Sequence, residues 1–385
     1  MQYSTFAAID IGSYDVILEI FEISKKQGIR SVDKICHRME LGKDTYTLGK
    51  IRPEMEEELC RVLADFVRIM EGYRVDAYRA MASSAISEAA NSLYVLGKIR
   101  QLTGLSVTVL SNSEQRFLGY KALAAMEDNF NKIIEKGTAI LDLDGGSFQI
   151  SLFDKDALVT TQNIRMGSLR IRERLAGIQS ETEHYEEMVE ELIWNEVSSF
   201  KKMYLKDRKI ENIMLIGDVF TDSVYQNIEE KTTKIISREN FNTWYEKIIR
   251  QSPMELAVKL GIPLENASLM YPSAVIYKCL IDMMGAEHIW IPGVHMTRGI
   301  AYEYAEQMKL LKGGHNFEND ILMAAKNIGK RYAVNRPHVQ NLEMTALAMF
   351  DATKKMHGMK ERERLLLQMA VMLHDVGKYI SFNNV

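Results

Sequence analysis

An apolar, alternating run at residues 6–11 is followed by strand-like runs at 16–23 and 30–37, and the same order returns at 138–143, 148–153 and 157–164. Such runs, bounded by glycine and polar turn residues, mark strands. Two three-stranded units of one design predict a duplicated fold. Each unit makes its first turn beside an aspartate, at Asp10-Ile11-Gly12-Ser13 and at Asp142-Leu143-Asp144-Gly145-Gly146-Ser147.

Elsewhere the period lengthens to that of helices. Residues 53–72, with Pro53 near the start, 84–100, 113–126, 181–204, 238–250, 253–260, 271–285 and 297–312 read as helices, and short strands fall between them at 77–81, 105–110, 212–216 and 288–291. Strands alternating with helices argue for α/β architecture. Lys312-Gly313-Gly314-His315 reads as a linker, beyond which 317–331, 337–357 and 361–374 are helical only. The expected division is one α/β lobe at 1–126, a second at 127–312, and an all-helical module at 313–385.

Composition narrows the class without changing this picture. With 385 residues, 46% hydrophobic and 26% charged, the chain suits a soluble protein of two or three domains, and its net charge of -4 gives no general attraction for nucleic acid. Neither a long apolar span nor a leader-like start is seen, so no membrane segment and no export are expected. The isolated cysteines Cys36, Cys60 and Cys279 lack metal-type spacing and fit a reducing cytoplasm.

An apolar strand that delivers an aspartate beside glycine amides suits a phosphate and its magnesium ion. Glycine lets backbone N–H groups approach an oxyanion, and the carboxylate is a hard oxygen ligand. Taken singly, either turn reads equally as an ordinary tight turn. Their recurrence in the same three-strand setting predicts that Asp10 and Asp142 face each other across a cleft between two lobes.

On these residues the chain resembles the exopolyphosphatase and guanosine pentaphosphate phosphatase (Ppx/GppA) family, within the actin, hexokinase and sugar-kinase superfamily. The resemblance is carried by collinear segments at 7–13, 81–91, 109–123, 140–150 and 166–173 and by the helical tail. It implies two ribonuclease-H-like lobes followed by an all-helical, HD-like module. It also implies hydrolysis of the terminal phosphoanhydride of inorganic polyphosphate or pppGpp, with Mg2+ or another divalent cation. Carried over position by position, Asp10 and Asp142 would hold metal, and Gly12, Ser13, Ser84, Gly145, Gly146, Ser147 and Arg170 would bind phosphate. Asp142, Glu114, Gln115 and Gln149 would stand at catalytic positions, orienting water while amides and basic groups stabilise phosphoryl charge.

Several loops depart from the family pattern. Where it reads Asp-x-Gly-Ser-Asn-Ser, this chain has Tyr14 and Asp15 after Ser13. Where it reads Asp-x-Gly-Gly-Gly-Ser-Thr-Glu, Asp144 replaces a glycine and Gln149 a glutamate. The water-activating glutamate falls on Gln115, with Glu114 beside it and about 100 degrees away on a helix. Glutamine orients water but does not take its proton as a carboxylate does. Ser87 holds an arginine position, Gly217-Asp218-Val219 stands for a Gly-Gly-Thr turn, and Arg298 stands where aspartate is usual.

In the tail, His374-Asp375 matches the pair that names HD domains, and His338 falls at their first histidine. Such donors suit a divalent transition metal. The usual set needs a further ligand downstream and the chain stops at Val385, so a capping or packing role is the preferred reading and the module is expected to be incomplete. Its last helices would then offer an apolar face to a partner, including a second copy in a homodimer.

Two readings follow. In the first, the protein is a cytoplasmic phosphohydrolase of polyphosphate or pppGpp, its activity reduced by the altered loops. In the alternative it is a catalytically degenerate regulatory protein that binds polyphosphate or a guanosine nucleotide.

Overall fold

Hydrogen bonding gathers the expected strands into two sheets; the computed structural model describes residues 3–126, 130–176, 185–227, 235–311 and 315–379. In the first lobe, β1 (Ser4–Ile11), β2 (Asp15–Ser24) and β3 (Gly28–Arg38) form an antiparallel meander. The parallel strands β4 (Ala77–Ala82) and β5 (Val107–Val109) extend it, giving the order β3-β2-β1-β4-β5.

The second lobe repeats the plan. There β6 (Thr138–Leu143), β7 (Phe148–Asp154) and β8 (Ala157–Ile164) are antiparallel, and β9 (Asn212–Ile216) runs parallel to β6. A short edge strand β10 (Ile235–Ser237) pairs with β11 (His288–Trp290), which lies beside β9, so the order is β10-β11-β9-β6-β7-β8.

Register makes the two turns equivalent. Ile11 pairs with Val16 and Leu143 with Phe148, so residues 12–15 and 144–147 are matching connections. Asp10 sits opposite Ile17 and Met81, and Asp142 opposite Gln149 and Ile216, each one step before its strand ends. Both faces of these central strands are covered, which is why they read as continuous apolar runs. Ala7, Ile9 and Ile11 enter one core while Phe6 and Ala8 enter another. Likewise Ala139, Leu141 and Leu143 face one core of the second lobe and Ile140 the other.

The helix Met296–Gln307, although it follows the second sheet, packs on the first. Tyr304 stacks on Phe6 at 4.2 Å and Arg79 pairs with Glu303 at 2.8 Å. Gly299 lets the same helix also lie close against the helix Asn112–Met126, since a Cβ there would lie 2.1 Å from the Leu118 carbonyl oxygen. The helix Phe317–Arg331 lies along β8, where the Asn327 side-chain amide donates to the carbonyls of Leu158 and Val159.

Some expectations are corrected. The span 84–100 is two helices, Ser84–Ser87 and Ser92–Thr103, because Asn91 is drawn out of the helix to bond both backbone groups of Ile51. The span 337–357 likewise divides into Arg336–Ala352 and Lys354–His357. Helices Leu41–Leu48, Phe130–Ile134, Ser168–Leu175 and Val219–Asn227 were not anticipated.

His315 is no linker residue. Its ring is buried, with Nδ1 2.6 Å from Asn131 Oδ1 and Nε2 2.7 Å from Asp320 Oδ2. Lys312, Gly313 and Gly314 lie outside the described residues, as does the expected helix start at Glu181. Among the described residues no helix is long and apolar enough to cross a membrane.

Candidate functional site

Both aspartate turns open onto one cavity of about 300 Å3, to which each lobe contributes a wall. Of the residues given site roles in the sequence, Asp10, Gly12, Gln115, Asp142 and Gly145 line it, together with Tyr14, Asp15, Asp144 and Asp218 from the departing loops and with Asp222, which the sequence did not single out. Lys34 and Arg38 on β3 are the lysine and arginine of its lining.

Strand ends place the two key carboxylates. Asp142 lies between two glycines: a Cβ on Gly217 would stand 2.6 Å from its Oδ1 and one on Gly119 would stand 3.3 Å from its Oδ2. Gly217 also has φ +105, a left-handed conformation that favours glycine. Gly119 was missed in the sequence, where it is a lone glycine inside a helical run. Asp10 is 8% exposed, and its Oδ1 is buried without a hydrogen-bond partner among the described residues.

Burial, followed by mutual repulsion, sets the charge state of this wall. The Asp10 carboxyl is held well above the usual range by burial and by Asp15, Asp144 and Asp142. Burial and Asp144 push Asp142 up to about 7, while Arg116 opposes the shift. Asp218 is also pushed up to about 7, chiefly by burial. Asp15 and Asp144 are raised as well, burial again leading. A divalent cation would relieve this crowding, and the donors are hard oxygens of the kind Mg2+ takes. The orphaned Asp10 Oδ1 fits that assignment.

The predicted phosphate residues divide into two groups. Gly12 and Gly145 reach the cavity, whereas Ser13, Ser84 and Gly146 meet behind it around a residue the sequence did not reveal, Tyr46. Tyr46 Oη lies 2.7 Å from Ser13 Oγ and 2.9 Å from Ser84 Oγ, and the two serine hydroxyls are 3.1 Å apart. Ser147 is buried, and its carbonyl accepts from the Asp144 N–H at 2.9 Å.

Arg170 belongs to the same cluster. It donates to the Gly146 carbonyl at 2.8 Å and to Glu88 at 3.0 Å, and its guanidinium lies 3.9 Å from the centre of the Tyr46 ring.

The catalytic candidates also separate. Glu114 is at the helix start, where its carboxylate accepts from the Ser111 N–H and hydroxyl at 2.9 and 2.7 Å, and the pair of bonds holds its pKa below the usual range. Gln115, one residue on, turns into the cavity, and its Nε2 is 3.5 Å from Asp144 Oδ2. Gln149 is buried opposite Asp142 in the ladder, its Oε1 without a partner among the described residues.

Tyr14 lines the cavity and points across to the other lobe, donating to Asn266 Oδ1 at 2.6 Å, while Phe148, next to Ser147, is in the second-lobe core. The Asp144 side chain folds back on its own turn: its Oδ1 accepts from the Gly145 N–H at 2.6 Å.

In the helical module, His338, His374 and Asp375 do converge, with ligand atoms within 4.8 Å of one another. Their bonds are also those of a helix end: His374 Nδ1 meets the Val371 carbonyl at 2.7 Å, while Asp375 pairs with Lys378 at 2.7 Å and with His374 at 3.0 Å.

Comparisons with known proteins bear on the whole chain. The Ppx/GppA phosphatase family model matches residues 19–308, and that for domain III of the Ppx/GppA phosphatases matches residues 322–385. A guanosine-5'-triphosphate,3'-diphosphate pyrophosphatase of Photobacterium profundum is 20% identical over 383 residues, covering 98% of this chain and 73% of that one. A bifunctional 3-dehydroquinate synthase/phosphatase of Fusobacterium nucleatum is 21% identical over 310 residues, 74% of this chain and 44% of its own length.

Among solved structures, an exopolyphosphatase from Cytophaga hutchinsonii superimposes with a TM-score of 0.71 at 16% identity, covering 80% of this chain and 100% of its own. The Aquifex aeolicus Ppx/GppA family member gives 0.65 at 17% identity, covering 80% and 99%. These structures share the two actin-like lobes.

Proposed function

The chain belongs to the Ppx/GppA phosphatase family, and from that premise we propose that it is a cytoplasmic phosphohydrolase removing the terminal phosphoryl group of inorganic polyphosphate or pppGpp with a divalent cation. One observation carries this reading. Asp10 and Asp142 occupy the same step of two equivalent ladders and line a single cavity beside Gly12 and Gly145.

In this reading Asp10 and Asp142 hold the cation, which when bound supplies positive charge to the phosphoryl oxygens. The Gly145 amide faces the transferred group, and Arg170 keeps that loop in place through the Gly146 carbonyl. Gln115 orients the attacking water from the helix beside Asp142 by hydrogen bonding, without taking its proton. The guanosine substrate is favoured by the name of the Photobacterium profundum relative, and polyphosphate by that of the Cytophaga hutchinsonii structure.

Phosphate release from each substrate with Mg2+ tests the proposal, with EDTA-treated protein as the blank. No release above the blank from either would overturn it.

The alternative of a binding or regulatory protein is favoured by Gln115 in the cavity and Gln149 behind it, both lacking the carboxylate expected there. It predicts binding without turnover, and hydrolysis rising in the double variant Gln115→Glu, Gln149→Glu. An unchanged rate in that variant would count against a lost catalyst.

A further inference from the structure

The internal repeat provides its own reference for Asp144. Gly12 and Asp144 are matching positions, two residues after Asp10 and Asp142, and their amides close the two connections alike, on Asp15 O and Ser147 O at 2.9 Å each. Where the first lobe has no side chain, the second has a carboxylate folded onto the next amide, Oδ1 to the Gly145 N–H at 2.6 Å. Backbone N–H groups at such a turn are anion sites. Here an acceptor oxygen is already present and covalently tethered.

Asp144 does not take this place as half of an ion pair. Arg170 is hydrogen-bonded to Glu88 and the Gly146 carbonyl, and it attracts Asp144 from a distance without forming an ion pair with it among the described residues. Gln115 gives only a long 3.5 Å contact, and Asp10, Asp142 and Asp15 repel the carboxylate.

We propose that Asp144 is a built-in competitor for the phosphoryl group, a specificity-determining side chain that occupies the Gly145 amide until a phosphate arriving with a divalent cation displaces it. This rests on the phosphohydrolase reading for the identity of the ligand. A tethered group competes at the effective concentration of its tether, on the order of millimolar. Apparent affinity for phosphate falls by the fraction of molecules in which the amide is free. Asp10 and Asp142 would hold the cation, whose positive charge would favour the displaced Asp144 carboxylate, so cation and phosphate would bind with positive linkage. The cradle thus discriminates against a phosphate that comes without its metal.

The test is calorimetric titration of inorganic phosphate into the full chain, with and without Mg2+. Asp144→Gly copies the residue at the matching position of the first lobe. It is expected to bind phosphate at least about tenfold more tightly, the worth of one charge-assisted hydrogen bond, and to depend less on Mg2+. Asp144→Asn keeps an acceptor for the amide and is expected to gain less. Asp15→Asn lowers the charge of the same cavity without touching that amide, so it reports the general charge effect alone and is expected to gain clearly less than Asp144→Gly. Asp144→Ser replaces the glycine variant if melting shows that variant to be unfolded.

Equal affinity in parent and Asp144→Gly, or an equal gain in Asp15→Asn, would overturn the proposal. Turnover is not read, so a protein that binds phosphate in this pattern but releases none would remove the phosphohydrolase reading and leave the competitor standing.

Discussion

The hydroxyl of Tyr46 lies 2.7 Å from that of Ser13, and this contact closes the back of the Gly145–Gly146 turn beside the cavity. Gly146 passes directly over it: a Cβ there would stand 2.1 Å from Tyr46 Oη and 2.5 Å from Ser84 Oγ. Gly146→Ala is therefore expected to destabilise the protein by about 1–3 kcal/mol through overpacking. Urea unfolding monitored by circular dichroism checks this, and an unchanged midpoint would contradict it.

Arg170 and Glu88 join the two lobes at 3.0 Å, both mostly buried. Lysine lacks the planar fork that serves Glu88 and the Gly146 carbonyl together. Arg170→Lys is expected to cost about 1–3 kcal/mol. In a double-mutant cycle with Glu88→Gln, the two losses should be less than additive. Strict additivity would mean that the pair contributes nothing as a pair.

Stability should fall as pH rises from about 4 to about 7. Asp218 goes from its ordinary 3.8 to about 7 on burial. The folded state therefore holds a proton that the unfolded chain releases. The stability this group contributes is complete below the unfolded pKa and is lost as pH rises through the folded one, so the window runs from about 4 to about 7. Asp10, Asp15, Asp142 and Asp144, also raised, act in the same sense. Asp218→Asn cannot titrate but keeps an acceptor for Tyr277, and it is expected to flatten the fall. Above about pH 7 it should exceed the parent by on the order of a few kcal/mol. Metal-free melting curves across pH give the answer, and parallel curves for the two proteins would be the contrary result.

His315 fastens the helical module to the second lobe between Asn131 and Asp320, with Phe130 and Phe317 packed edge-on against its ring. His315→Ala leaves Asp320 buried with one fewer partner. A loss of about 2–3 kcal/mol is expected, with faster amide exchange in the helix Phe317–Arg331. Exchange unchanged in that helix would place the fastening elsewhere.

How much of this was readable depends on the kind of signal. The two ladders and their aspartates were legible because a strand buried on both faces announces itself as an apolar run. The polar break at Asp10 or Asp142 is then conspicuous within it. Tyr46 was not legible: it rides on a short helix, Leu41–Leu48, and its role arises from three segments far apart in the chain. Which of Glu114 and Gln115 faces the cavity depends on a single helical step: Glu114 is held at the helix start by its bonds to Ser111, and Gln115 lines the cavity. Asn91 broke a helix by bonding Ile51, a partner 40 residues away. His315 looked like a linker because it follows two glycines, whereas tertiary packing makes it core.

The central claim is that one aspartate from each lobe serves a single phosphate-and-metal site. Phosphate binding titrated against Mg2+ in Asp10→Asn and Asp142→Asn tests it most directly, with melting curves to verify folding. Either change alone is expected to remove the Mg2+-dependent part of phosphate binding, and the double variant to be no worse than either. If one variant keeps the full Mg2+ dependence of the parent, the two turns do not share a site and the account is wrong.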